Sequence, residues 1–171
     1  MKTTLEMLNR MQADGIIGSY AIGGAVGATF YIAPAATLDV DIFVTMPNSS
    51  GSSLVSLTPI YEYLCARGCK PDGEHIVIGD WPVQFLSAGD ALEQEALEEA
   101  VEFDVEGIPT RVMTAQHLLA IALKTGRPKD FNRILQFLGL GEVNRDKLNR
   151  ILEKHGLTEK WEKFRQRYLD E

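Results

Sequence analysis

Two aspartates, Asp39 and Asp41, interrupt the apolar stretch "LDVDIFVT". This stretch predicts a β-strand, because β-branched and aromatic residues alternate along it with the two acids. Residues i and i+2 of a strand point to the same face, so the two carboxylates should lie together while Val40 turns toward the core. Two carboxylates this close raise each other's pKa unless a cation separates them. The spacing therefore predicts a divalent-metal site, and oxygen ligands of this kind favour Mg²⁺, with Mn²⁺ as the alternative.

Two adjacent glycines, Gly23 and Gly24, end the apolar run that precedes these aspartates. "SYAIG" predicts a short buried strand and "GAVGATFYI" a short helix that follows it. Glycine lets the backbone approach a phosphate closely, and a helix N-terminus offers unpaired N–H groups. A Gly-Gly pair alone can be a turn, and an Asp-x-Asp alone can simply end a strand. Taken together, the two patterns predict a site for a metal-bound nucleoside triphosphate.

The elements needed to position this site follow from periodicity and capping signals. Roughly the first two-thirds of the chain predicts a mixed α/β domain at residues 1–113, and a helical bundle should follow at residues 114–171. Thr3 or Thr4, Asp90, Thr114 and Asn144 are the expected helix N-caps. "MPNSSGSS" predicts a loop directly after the Asp-Val-Asp strand, where it could form a mobile rim of the site.

The composition is typical of a globular protein: 45% of the 171 residues are hydrophobic, 24% are charged, and the net charge is −7. An overall basic footprint for nucleic acids is absent, although Lys and Arg concentrate after Arg111 and leave room for a local basic patch. An acidic protein that handles phosphates usually needs a divalent metal. The two cysteines, Cys65 and Cys69, fit neither a zinc pattern nor a disulfide framework.

Residues 16–38 carry no charge and could be mistaken for a membrane span. They contain several glycines and Pro34, and they lack flanking Lys or Arg anchors. A polar amphipathic segment precedes them, which also argues against a signal peptide. The expectation is a buried core segment, no membrane association, and a cytoplasmic protein.

At the glycine pair and the Asp-Val-Asp strand the chain resembles the nucleotidyltransferase superfamily, the fold of DNA polymerase beta and of the aminoglycoside nucleotidyltransferases. The resemblance covers residues 18–113. It implies a mixed sheet flanked by helices, with a helical domain closing one side of a cleft. It also implies transfer of a nucleoside monophosphate from an NTP to a hydroxyl or phosphate acceptor, with Mg²⁺ ions bound at Asp39 and Asp41.

Further along, "GRPKDFNRI" resembles the tail motif of small prokaryotic members related to the AbiEii-type toxin nucleotidyltransferases. In that group a Lys and an Arg-x-Lys-Asp element contribute to the active site. By position these are Lys124, as a catalytic residue, and Arg127, Lys129 and Asp130. Arg127 and Asp130 are expected to bind the nucleotide, whereas Lys129 is expected to be solvated. The resemblance also implies a tRNA, other RNA or protein acceptor, and a cognate antitoxin or a homodimer.

One position departs from the superfamily pattern. A third carboxylate usually lies on a later strand, and the matching strand here, "WPVQFLS", carries Gln84 instead. An amide can ligate a metal or contact a nucleotide, but it cannot act as a general base. The acceptor could already be ionised, such as a phosphate. A nearby acid (Asp80, Glu74 or Asp104) could substitute. Otherwise transfer activity is lost and binding remains.

The sequence is therefore compatible with three functions. The first is a Mg²⁺-dependent nucleotidyltransferase acting on an RNA end, a protein or a small molecule. The second is a catalytically degenerate nucleotide-binding or partner-binding protein of the same fold. The third is a helical-bundle docking partner, suggested by the apolar stripe of Trp161, Phe164 and Tyr168.

Overall fold

The computed structural model describes residues 1–34, 39–47, 55–141 and 143–170. Within these ranges the chain forms seven strands and eight helices. In chain order they are α1 (Lys2–Ala13), β1 (Tyr20–Gly23), α2 (Gly24–Ala28), β2 (Val40–Val44), α3 (Thr58–Ala66), β3 (Lys70–Asp72), β4 (His75–Ile78), β5 (Trp81–Ser87), α4 (Ala91–Glu98), β6 (Val101–Val105), β7 (Ile108–Val112), α5 (Ala115–Thr125), α6 (Pro128–Gly139), α7 (Arg145–Lys154) and α8 (Thr158–Tyr168).

The seven strands form one mixed sheet in the order β3-β4-β5-β2-β1-β7-β6. β1 and β2 pair antiparallel at the centre, and each has a parallel partner outside it, β7 and β5 respectively. Antiparallel hairpins close both edges. The sheet and its flanking helices confirm the predicted mixed α/β architecture with a helical C-terminal part.

Alternation along β2 divides the side chains between two buried clusters. Val40, Ile42 and Val44 belong to a cluster that also contains residues of α1 and α3. Phe43 belongs to the other cluster, which is built mainly from α4 to α8. Asp41 lies between Val40 and Ile42 in this alternation, so it faces the same side as Phe43 and the C-terminal helices.

The C-terminal helices begin where their capping signals predict. Thr114 accepts a hydrogen bond from the backbone N–H of His117, and Asn144 accepts one from that of Lys147. These helices share a buried cluster with Phe43 and Met113 of the α/β part, so the predicted boundary between residues 113 and 114 crosses a common core. The division into two domains stays a prediction.

Some local predictions were wrong. Neither Thr3 nor Thr4 caps α1, which begins at Lys2; the Thr4 hydroxyl instead donates to the carbonyl oxygen of Ile78. Strand β3 was not predicted, because Pro71 and the glycines around it are typical of a loop. The loop predicted at residues 46–53 lies largely outside the described residues.

No helix in the described ranges combines the length and apolar character that crossing a bilayer requires.

The apolar stripe of α8 packs within the chain. Phe164 is buried and stacks on Trp161, and its ring also contacts Phe131 of α6. Tyr168 contacts both Phe131 and Phe164 and stays partly exposed. This contact ties α8 to α6, the helix that faces the predicted site.

Candidate functional site

The two aspartates lie where the central strand begins. Asp39 immediately precedes β2 and Asp41 is its second residue, while Val40 between them is fully buried. Both carboxylates are half-buried and line one cavity of about 580 Å³. The wall across from them is α6, and the rest is lined by residues of α2, by Ile32 and Ala33 after it, and by Gln84 of β5. Both carboxylates therefore line the same cavity.

Asp41 is in an unfavourable electrostatic environment. Burial raises the pKa of its carboxyl group, and the neighbouring Asp39 raises that pKa further. Arg133, His75 and Arg127 act in the opposite direction, but the net direction is upward. A carboxylate that is desolvated and repelled in this way gains most from a bound cation.

Asp39 has a partner from the next hairpin. Its Oδ2 lies 3.0 Å from Nε2 of His75, the first residue of β4. His75 precedes Ile76, which pairs with Val83 of β5, so it lies level with Gln84 across the sheet. The contact orients the Asp39 carboxylate from the β4–β5 side of the sheet, whereas Asp41 lies within β2, opposite Gly23 of β1 and Gln84 of β5.

Gly24 makes room for Asp41. Its φ is +59°, a conformation that favours glycine. A Cβ placed on it would overlap with Oδ2 of Asp41, while its chain neighbour Gly23 pairs directly with Asp41 across β1 and β2. A Cβ on Gly23 would instead meet the ring of Phe43 at 2.7 Å. Gly24 lines the cavity and Gly23 does not, so the second glycine has the closer relation to the site.

Gln84 lies beside Asp41 in the parallel pairing of β2 and β5. Its side chain lines the cavity, and its Nε2 donates to Oε2 of Glu74 at 3.1 Å. Of the three acids proposed to substitute for a missing carboxylate, Glu74 is thus the one that contacts Gln84. Asp104 belongs to β6 at the far edge of the sheet, and Asp80 lies in the turn between β4 and β5.

The opposite wall is the polar face of α6. Lys129, Asn132, Arg133 and Gln136 line the cavity together with Arg127, the N-cap residue of the helix. The spacing of these four helical residues is i, i+3, i+4 and i+7, which places them on one face. From this wall the sequence predicted only Arg127 as a ligand-binding residue. The regular polar spacing opposite Ile134 and Phe137 was the signal that could have identified the others.

Asp130 forms ion pairs with two arginines of the cavity wall, Arg127 and Arg133. It is 1% exposed and does not line the cavity. Its carboxylate accepts hydrogen bonds from the backbone N–H of Arg127 at 3.1 Å and from the guanidinium of Arg127 at 2.7 and 3.1 Å. It also lies 3.5 Å from Arg133. Asp130 was predicted to bind the nucleotide, which stays a prediction; in the structure its carboxylate contacts Arg127 and Arg133.

Lys124 was predicted to act with Asp39 and Asp41 as a catalytic residue, and this role stays a prediction. Its ammonium group forms an ion pair with Asp90, the residue that caps α4. Lys124 is not among the described residues that line the cavity. α5 ends at Thr125, and the side chain of Lys124 reaches the N-terminus of α4, where Asp90 is the cap residue.

The donor set fits a cation that arrives with phosphates. In the described ranges, no three His, Cys, Asp or Glu side chains are grouped to hold a metal by themselves. Mg²⁺ often binds one or two carboxylates and completes its shell with substrate phosphates and water. Asp39 and Asp41 supply that pair; burial and the charge of Asp39 raise the pKa of the Asp41 carboxyl group, and a bound cation would act in the opposite direction.

A second polar cluster lies elsewhere, between α4, α5 and the end of α7. Glu95 accepts from Lys154 at 2.5 Å, and its Oε2 lies 2.9 Å from Nε2 of His155 and 3.1 Å from Nε2 of His117. Nδ1 of the buried His117 lies 2.7 Å from the hydroxyl oxygen of Thr114. His117 therefore belongs to this cluster rather than to the cavity beside Asp41, and the residues of the cluster connect three helices.

The fold has solved relatives, although no family model and no curated protein sequence matches the chain. The crystal structure of ANT(2'')-Ia in complex with adenylyl-2''-tobramycin superposes with a TM-score of 0.53 at 14% identity, and the match covers 98% of each chain. A solution structure of the antibiotic-resistance factor ANT(2'')-Ia gives 0.50 at 14% identity, over 98% of this chain and 92% of the other.

An antigenic nucleotidyltransferase-like protein from Paracoccidioides brasiliensis gives a TM-score of 0.57 at 11% identity, over 88% of this chain and 85% of that one. At these identities the likeness concerns the fold, and it extends over most of the chain, including the sheet and the C-terminal helices. The chain therefore has the fold of the nucleotidyltransferases.

Proposed function

We propose that this chain is a metal-dependent nucleotidyltransferase, which binds an NTP in the cavity between β2 and α6 and transfers its NMP group to an acceptor. One observation carries the proposal. Asp39 and Asp41 line one wall of the cavity, and the guanidinium groups of Arg127 and Arg133 line the other. Carboxylates for a metal and guanidinium groups for phosphate oxygens are the two requirements of a bound metal–triphosphate.

The residues of the cavity have separate roles in this proposal. Arg133 is 16% exposed and Arg127 is 54% exposed, so the two arginines contact phosphates at different depths while Asp130 fixes their orientation. Asp39 and Asp41 hold the divalent ion, which stabilises the attacking and leaving oxygens when it is bound. Gly24 leaves the Asp41 carboxylate free to adopt its position. Gln84 offers an uncharged amide beside it.

The chemistry of a solved relative supports the choice of reaction. ANT(2'')-Ia was solved with adenylyl-2''-tobramycin, an acceptor that carries an adenylyl group. Transfer of a nucleotidyl group is therefore a reaction performed on this fold. For the present chain we propose the same class of transfer, with an RNA end, a protein or a small molecule as the acceptor.

The proposal is tested with the Asp41→Ala variant. Wild-type protein should bind NTP with Mg²⁺ and release pyrophosphate in the presence of a cell extract, and the variant should lose both properties. Circular dichroism checks that the variant is folded. Equal Mg²⁺–NTP binding by the two proteins would refute the proposal.

A second candidate is a nucleotide-binding protein without transfer activity, and Gln84 favours it. This residue lies next to Asp41 and brings no negative charge. Incubation with an NTP labelled at the α-phosphate and with extract separates the two candidates. Label that remains on an acceptor after denaturation excludes the binding-only function, whereas activity that appears only in Gln84→Asp supports it.

The finer assignment to a toxin of the AbiEii type rests on the stretch "GRPKDFNRI". It adds tRNA as the acceptor and a cognate antitoxin or a second copy of the chain as the partner. Induced expression in a bacterial host tests it. Growth arrest that Asp41→Ala abolishes supports the assignment, and unchanged growth with the wild-type chain contradicts it.

A further inference from the structure

Among the described residues that line the cavity, none is available to take a proton from an acceptor. Among the described residues that line it, the only acids are Asp39 and Asp41, and both are committed to the cation in the proposed function. Glu74 does not line the cavity and accepts from Gln84. His75 directs Nε2 to Asp39. A hydroxyl group must lose its proton as it attacks, so a hydroxyl acceptor would need a base that this wall does not provide.

The wall formed by α6 carries more positive charge than Asp130 neutralises. Asp130 pairs with both Arg127 and Arg133. Lys129 lines the same cavity, is exposed, and forms no ion pair within the described ranges. A cationic acceptor would be repelled by this wall, and an anionic one would be attracted to Lys129.

On the basis of the proposed function, we propose that the acceptor is a phosphate monoester and that Lys129 binds its charge. An ionised, non-bridging oxygen of the acceptor donates an electron pair to the α-phosphorus of the NTP. The bond from the α-phosphorus to the oxygen bridging to the β-phosphorus breaks, and the electron pair leaves with pyrophosphate. The product is a phosphoanhydride, and no proton has to move.

The physical basis is the ionisation of the acceptor. A phosphate monoester loses its second proton with a pKa of about 6, so it carries the reactive charge at neutral pH without help. The absence of a third acid beside Asp41, among the described residues that line the cavity, is then consistent with transfer. Gln84 can remain an amide, because the position needs no proton acceptor.

The acceptor class is tested with a cell extract divided into two halves. One half is treated with a phosphomonoesterase that is then removed, and the other is mock-treated. Protein, Mg²⁺ and α-labelled NTP are added to each. We expect label transfer in the mock-treated half and a loss of at least about tenfold in the treated half. Equal transfer in both halves, or transfer in neither, would overturn the phosphate acceptor.

The Lys129→Met variant tests whether Lys129 binds the acceptor. At limiting extract, we expect the transfer rate to fall about tenfold, which corresponds to one charge-assisted hydrogen bond, while the Kd for NTP stays unchanged. Lys163→Met is the matched control, since Lys163 lies on the exposed face of α8 and pairs with Glu159. An unchanged rate in Lys129→Met, or a parallel loss of NTP binding, would contradict the assignment.

Failure of this inference is distinguishable from failure of the proposed function. If only the acceptor class is wrong, NTP still binds and Asp41→Ala still abolishes that binding, but label appears on phosphatase-treated material. If the proposed function is wrong, either wild type and Asp41→Ala do not differ in Mg²⁺–NTP binding, or NTP binds but no label is transferred in either half of the extract.

Discussion

Gly24 and Asp41 are in such close contact that a side chain at position 24 and the observed carboxylate could not coexist. A Cβ on Gly24 would overlap with Oδ2 of Asp41 and approach its Cγ to 3.0 Å. The glycine turn and the aspartate strand are therefore two parts of one arrangement. Position 24 has to lack a side chain so that the Asp41 carboxylate can face the cavity.

Gly24→Ala should remove metal-dependent nucleotide binding. The substitution strains a φ of +59° and displaces the Asp41 carboxylate. Gly15→Ala is the matched control, because Gly15 has a φ of +74° and a Cβ added to it would meet nothing within 4 Å. Each variant should lose about 1–2 kcal/mol of unfolding free energy from the strained backbone. Only Gly24→Ala should lose Mg²⁺–NTP binding; a binding loss in both, or in neither, would contradict the account.

Asp130→Asn should weaken both the fold and the nucleotide site. The buried carboxylate accepts from the backbone and the guanidinium of Arg127, and hydrogen bonds to charged groups contribute about 1.5–3 kcal/mol. Urea denaturation should show a loss of this order, and calorimetry should show weaker NTP binding. The control is Asp146→Asn, at an exposed position in the first turn of α7. If Asp130→Asn kept full NTP affinity, Asp130 would not position the arginines.

Glu95 should make the helical cluster sensitive to acid. Burial raises the pKa of this carboxyl group, but hydrogen bonds from Lys154, His155 and His117 outweigh burial and lower the pKa to about 2. Because the folded-state pKa lies below the ordinary 4.5, the stabilisation is complete above pH 4.5 and disappears as the pH falls toward 2.

Denaturation between about pH 6 and pH 2 checks this, with Glu95→Gln compared with wild type. The difference in unfolding free energy between the two proteins should shrink as the pH falls through that window. The unfolding free energy of Glu98→Gln, at an exposed position on the same helix, should depend on pH in the same way as that of wild type. A constant difference between Glu95→Gln and wild type at every pH would show that the ionised carboxylate is not what stabilises the cluster.

The sequence predicted those features that depend on local chemistry. Alternation around Asp39 and Asp41 put both acids on one face, and the caps Asp90, Thr114 and Asn144 were confirmed because each bonds the backbone three residues away. Capping by Thr4 failed because its hydroxyl finds a partner 74 residues away, at Ile78.

The rest of the site depends on contacts between distant segments. The need for glycine at position 24 comes from Asp41, which no local pattern connects to it. Lys124 was assigned by motif position, whereas the packing of α5 against α4 gives it Asp90 as a partner. Arg133 and Gln136 were recognisable as part of a polar helix face, but only the fold shows that this face lies across from Asp41.

The central claim is that Asp39 and Asp41 together hold a cation that accompanies the nucleotide. The most direct measurement is the Kd of an NTP, determined by calorimetry with and without Mg²⁺, for wild type and for the Asp39→Asn/Asp41→Asn double variant. Wild type should bind the NTP about tenfold or more tightly with Mg²⁺, within the usual range of coupling between two ligands, and the double variant should be indifferent to Mg²⁺. If Mg²⁺ strengthened binding equally in both proteins, the aspartate pair would not be the cation site and the account would be contradicted.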